Sequence, residues 1–115
     1  MELSSVYVGV EDMERALNFY RKLFGAEPVQ EEERFSMFDV GGIHFGLYNA
    51  SYDGEELEFG NNCVPDLEVD DIDATYQRIQ AFAPEIDDEL FETEDHILFQ
   101  FKDTEGNTIE VFSEK

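Results

Sequence analysis

Glu110 is the side chain in this sequence best placed to do chemistry. It stands in Thr108-Ile109-Glu110-Val111-Phe112, where Ile109 and Val111 take the alternate positions that a strand turns toward a core, so the carboxylate faces the other way with Thr108 and Phe112. On a partly apolar surface such a group can contact a cationic ligand or act as a general base with a raised pKa; the alternative is a solvated strand carboxylate without a task. His44 shares the parity of Gly46 in another strand-like run, which aims it at the same face, opposite Glu110. There it can shuttle a proton or ligate an ion irregularly, while the ordinary alternative is a strand histidine hydrogen-bonded to a neighbour or to water. Tyr7, Tyr48 and Phe112 reach that face by the same alternation. Three rings near one carboxylate make a wall for a flat or cationic ligand, or plain filler where two sheets meet. Glu110, His44, Tyr7, Tyr48 and Phe112 are therefore the candidate ligand-binding residues, and no catalytic residue is assigned. His96, just after Thr93-Glu94-Asp95, reads as a surface residue. Cys63 is the only cysteine, so the chain can form no internal disulfide and no cysteine-rich zinc cage, and the thiol reads as packing.

Positioning these groups falls to an internal repeat, weak in identity and consistent in pattern. Val6-Tyr7-Val8-Gly9-Val10 alternates as a strand; Asp12 then offers an N-cap to a helix over 13–23 with Ala16, Phe19, Tyr20 and Leu23 on one stripe, closed by Gly25. At an offset of 59 residues the order returns, with a strand over 64–69 and a helix capped by Asp71 that buries Ile72, Tyr76, Ile79 and Phe82 or Ala83. Each helix is followed by three more strand-like runs: 27–30, 34–40 and 43–48 in the first half, then 86–91, 96–102 and 108–112 in the second. The last two runs of each half meet at Asp39-Val40-Gly41-Gly42 and at Asp103-Thr104-Glu105-Gly106-Asn107. The pattern predicts an α+β fold of two βαβββ units forming a concave mixed-sheet cleft, with the helices outside. It reads as a single domain over 1–115, with unit one about 1–49, a linker over 50–62 and unit two about 63–115.

The paired units, Val10-Glu11-Asp12 leading into Ala16-Leu17-Asn18-Phe19-Tyr20 and Leu23-Phe24-Gly25, and Phe101-Lys102-Asp103-Thr104-Glu105-Gly106-Asn107 leading into Ile109-Glu110, resemble the vicinal oxygen chelate superfamily. That superfamily holds glyoxalase I, bleomycin-resistance and fosfomycin-resistance proteins and extradiol dioxygenases. Thr104 stands where its members usually have Pro. The resemblance implies, in metal-dependent members, four ligands on the concave sheet, one on the first and one on the last strand of each unit, chosen from His, Gln and Glu. Carried onto this chain, those positions are Ser5, Gly46, Val64 and Glu110. Aligning Asp39 with Asp103 sets the pairing of Gly46 with Glu110. Only Glu110 has a suitable donor, and one carboxylate does not hold an ion. No metal ligand and no cofactor are assigned, and every metal-dependent activity of the superfamily is placed in doubt.

The composition points the same way. With 7 Lys plus Arg against 29 Asp plus Glu, the formal net charge of -22 repels phosphate backbones and anionic headgroups, which excludes nucleic acid and membrane surfaces as partners. The acidic runs around Glu31, Glu55 and 85–95 read as solvated loops, and so much acid with so little Lys suits high salt. No apolar run approaches the roughly 20 residues of a membrane span, and the start lacks a basic and apolar leader, so the protein reads as cytoplasmic. The leading functional expectation is a bleomycin-resistance-like module that binds a small cationic or aromatic organic molecule in a metal-free cleft. The alternative is a lyase, isomerase or dioxygenase of the same superfamily with an atypical metal site built on Glu110 and His44. The resemblance also implies a homodimer, side by side or with exchanged units whose clefts form between chains.

Overall fold

The structure, a computed structural model, describes residues 4–60 and 63–115; positions 1–3 of the chain start and Asn61 and Asn62 of the linker lie outside the described residues. Strand β1 (Ser5–Gly9) leads into helix α1 (Met13–Phe24), followed by the hairpin of β2 (Phe35–Val40) and β3 (Ile43–Tyr48). A short 3-10 turn, Ala50–Asp53, opens the linker. The second unit runs β4 (Asp66–Glu68), α2 (Ile72–Gln80), β5 (Glu85–Ile86), β6 (Phe91–Glu92), β7 (His96–Lys102) and β8 (Thr108–Glu114). The sheets have the orders β1-β3-β2 and β4-β8-β7-β5, with β6 also on β7. In each, the first strand of the unit runs parallel to the last and the rest pair antiparallel. No described helix is long and apolar enough to cross a membrane.

Three of the expected strands contract. The run 27–30 keeps only a bridge from Gln30 to Met37, because Pro28 lacks an amide donor and the glutamates that follow favour water over a ladder. The run 86–91 splits into β5 and β6 at the charged Asp87-Asp88-Glu89. The run 64–69 shortens to β4, although Pro65 still accepts a hydrogen bond from the Glu110 amide at 2.9 Å.

The repeat is visible in the register. Tyr7 pairs with Gly46 as Asp66 pairs with Glu110, and Met37 pairs with Gly46 as Gln100 pairs with Glu110. First strands and helices therefore correspond at an offset of 59 and last strands at 64. Both helices start on an aspartate cap, Asp12 accepting from the Arg15 amide and Asp71 from the Ala74 amide. The second hairpin turn is longer by one residue, so Asp39 corresponds to Lys102 and not to Asp103. The pairing of Gly46 with Glu110 is unaffected.

Each helix covers the inward face of its own sheet. Tyr20 and Phe24 of α1 stack on Phe45 and Phe38, and Tyr76 of α2 meets Phe99 edge-on. Phe19 reaches Phe82 and Phe101 in the second unit, so one apolar cluster spans both halves. The fully buried rings among them, Tyr20, Phe38, Phe99 and Phe101, contribute about 1.5–3 kcal/mol each.

A polar clamp joins the halves where Asp103-Thr104-Glu105-Gly106-Asn107 meets the start of α1. Glu105, its side chain fully buried, accepts from the Glu11 and Asp12 amides, both at 2.9 Å, and from Arg15 through two nitrogens at 2.7 and 2.8 Å. Burial alone would raise its pKa, but Arg15, Thr104 and the two amides outweigh that and hold it at about 2. Asp103 accepts the Tyr20 hydroxyl at 2.7 Å, and Asn107 donates to the Gly9 carbonyl. Burial first, and then the Asp103 carboxylate, push the Tyr20 phenol well above its ordinary pKa, so it stays a donor.

Candidate functional site

The sheet faces turned away from the helices carry all five candidates, in two groups. On the first, Tyr7, Phe35 and Tyr48 form a triangle of rings with centroids 6.0, 6.0 and 6.3 Å apart. Arg34 lies 5.8 Å over the Tyr48 ring, and the Tyr48 hydroxyl donates to Asp53 at 2.8 Å. That hydrogen bond, ahead of desolvation, raises the Tyr48 pKa to about 12. Gly46 makes the triangle possible, since a Cβ there would run into the Phe35 ring and come within 2.9 Å of the Tyr7 Cβ. His44 is exposed on the same sheet, between Ser5 of β1 and Asp39 of β2. Glu110 stands on the other sheet.

On the second face Glu110, half-buried, accepts from the Gln100 side-chain amide at 3.0 Å and stands in register beside Asp66. Desolvation, followed by the charge of Glu110 and a hydrogen bond with it, raises Asp66 to about 6, partly offset by His96. Asp66 therefore keeps its proton in mildly acidic solution. Phe112 meets the His96 ring edge-on at 5.4 Å, so His96 is half-buried in this face and not the plain surface residue its acidic neighbours suggested. One row beyond Glu110, Lys102 donates to Thr108. Tyr7 and Tyr48 are thus joined to each other, while Phe112 and Glu110 keep company with His96, Gln100 and Asp66.

The four positions that the resemblance assigns to a metal ion hold few donors. Ser5 offers a hydroxyl, Gly46 nothing, and Val64 an exposed apolar side chain. Among the described residues no three His, Cys, Asp or Glu side chains converge as they would around an ion. These residues do not fit that group. The larger surface hollows, ≈ 890 Å³ and ≈ 400 Å³, lie along α1 near Arg15 and Asn18, away from both faces. A smaller one of ≈ 110 Å³ adjoins Gln100, Lys102 and Thr108.

The family model described as Glyoxalase/Bleomycin resistance protein/Dioxygenase superfamily matches residues 2–111. The chain belongs to this superfamily. Its fold is similar to that of a lactoylglutathione lyase from Agrobacterium tumefaciens, at 19% identity and a TM-score of 0.81 over 97% of this chain and 92% of that one. A glyoxalase/bleomycin resistance protein/dioxygenase from Nocardioides aligns at 19% identity, TM-score 0.80, over 99% and 83%. A glyoxalase/bleomycin resistance protein/dioxygenase family enzyme from Burkholderia phytofirmans PsJN aligns at 19% identity, TM-score 0.78, over 98% of both chains. At such identities the likeness establishes the fold. No curated protein sequence is significantly similar to the chain.

Within this superfamily member, sequence reasoning missed Asp66, Phe35 and Gln100 on the two faces. Asp66 was within reach, because the offset of 59 that links the first strands carries Tyr7 onto it. Phe35 and Gln100 carried no such signal, since their roles follow from cross-strand register. The clamp residues Asp103, Glu105 and Asn107 were visible as a motif but not as buried partners of the first unit.

Proposed function

We propose that this superfamily member is a glyoxalase/bleomycin-resistance-like binding protein that takes a small cationic, aromatic molecule into a metal-free cleft and works as a homodimer. One observation carries the reading: at the equivalent rows of the repeat, unit one presents rings around Gly46 where unit two presents the Asp66 and Glu110 carboxylates. Opposed to each other, the two faces supply stacking on one side and charge pairing on the other, and the acidic surface speeds encounter with a cation. A second copy completes the cleft. The dimer is supported by Tyr7, 55% exposed in the middle of the aromatic face, apolar surface that association would cover.

The test is calorimetric titration of the full chain with phenethylamine, a minimal aromatic cation. Binding that weakens about tenfold in Glu110→Gln and in Tyr48→Ala is the expected result. Equilibrium dialysis against Zn, Ni, Mn and Fe ions gives the opposing outcome: one ion retained per chain, and lost in Glu110→Gln, would replace this reading with metal-assisted catalysis. Sedimentation showing monomer alone at moderate salt would remove the dimer.

A further inference from the structure

Most cations of this acidic chain are committed to carboxylates: Arg15 to Glu105, Arg21 to Glu27 and Glu31, Arg34 to Asp53, and Lys115 to Glu92. Lys102 is not. It stands in register opposite Glu85 of β5, yet among the described residues it forms no ion pair with that or any other acid. Its Nζ turns instead across the sheet to Thr108 Oγ1, at 2.6 Å. An ammonium has three donors, of which Thr108 accepts one; the threonine hydroxyl, having accepted, is left with its own proton to give. These donors open on the ≈ 110 Å³ hollow beside Gln100, room for a carboxylate and its water. The row of Lys102 and Thr108 adjoins the row of Gln100, Glu110 and Asp66 on the same face, two residues and so about 7 Å along the strands.

A donor group and a pair of carboxyl groups, side by side on one face, match a ligand that carries both signs of charge. A simple anion is disfavoured, because Glu85 and Asp87 line the same hollow and the whole chain repels it. We infer that the ligand of this cleft is a zwitterion of the aromatic amino-acid type, with its carboxylate held by Lys102 and Thr108 and its ammonium by Glu110 and Asp66. The inference rests on the proposed cation-binding cleft and adds the carboxylate to what that cleft selects.

Three probes of matched shape separate the two ideas at pH 7.5: L-phenylalanine, phenethylamine, which lacks the carboxylate, and 3-phenylpropionate, which lacks the ammonium. Wild-type protein is expected to bind L-phenylalanine about tenfold more tightly than phenethylamine, with 3-phenylpropionate weakest. In Lys102→Met the two amines should bind equally, with phenethylamine affinity unchanged within about twofold, and Lys102→Arg should keep the preference. Thermal unfolding of each variant verifies folding, and Thr108→Val, which removes the hydroxyl alone, should lose part of the preference. Equal binding of both amines by the wild type, or a preference that survives in Lys102→Met, would overturn the zwitterion and leave the cation-binding cleft standing. Failure of both amines to bind would bring down the cleft reading and this inference with it.

Discussion

Gly46 shows how one residue sets the character of a face. Its missing side chain admits the Phe35 ring and the Tyr7 Cβ, so the position that would hold a ligand in a metal-dependent relative is already filled. Gly46→Ala should destabilise the protein by about 1–3 kcal/mol through overpacking, and Phe35→Leu in the same chain should recover part of the loss, read by urea unfolding. Gly46→Glu should behave worse and still retain no ion in dialysis. On the other face, Asp66 is the residue whose charge matters to folding. Its pKa of about 6 in the folded chain lies above the ordinary 3.8, so the folded state holds the proton more tightly and stability falls as pH rises from 3.8 through 6. Asp66→Asn should remove that dependence. The variant should gain on the wild type between about pH 4 and pH 7, and a stability difference that stays flat across the interval would contradict the raised pKa of Asp66.

At the scale of elements, the decisive junction is the turn between β7 and β8 against the first turn of α1. Glu105 satisfies the Glu11 and Asp12 amides just ahead of the first turn of α1, and Arg15 closes over it. Glu105→Ala should cost about 3 kcal/mol, whereas Arg15→Met should cost about 1, since the guanidinium is half exposed and the carboxylate keeps its other donors. Glu105 titrates at about 2 instead of 4.5, so its contribution is complete above the unfolded value and disappears as pH falls through the folded one. Acid unfolding should therefore begin in that window, and in Arg15→Met it should move to higher pH. This junction was only half legible in the sequence. The turn itself could be read from Gly106 and the flanking strands, but its acceptor and its donors lie 90 to 94 positions apart, and local pattern carries no information about such pairs. The contracted strands failed for the opposite reason: Pro28 and the acidic run 87–89 were plain to read, but their weight against pairing was underestimated.

Over the whole molecule the charge of -22 opposes both folding and association. Raising sodium chloride from about 50 mM to about 1 M, where the screening length shrinks from above 10 Å to about 3 Å, should raise Tm by several degrees and increase the fraction of the proposed dimer in sedimentation. Insensitivity to salt would mean that the carboxylates are neutralised locally, by bound cations or by one another. Exposure of the glutamates at 31–33 and at 55–56 argues for a field spread over the surface. The same field favours cationic and zwitterionic ligands over anions, which links the molecular charge to the selectivity inferred for the two faces.

Composition and periodicity alone determined the repeated order of strand, helix and further strands, the capped helix starts, the side of each strand that Tyr7, Tyr48, Glu110 and Phe112 take, and the absence of a carboxylate or imidazole at Ser5, Gly46 and Val64. All of these depend on spacings of a few residues or on the repeat, and short-range sterics and alternate burial fix them locally. Tertiary structure decided which of 29 acids are buried, that Asp66 and Gln100 stand beside Glu110, and that Phe35 fills the space at Gly46. Those outcomes follow from register and packing between strands far apart in the chain, where the free energy of a pairing depends on the whole core and not on the residues that form it.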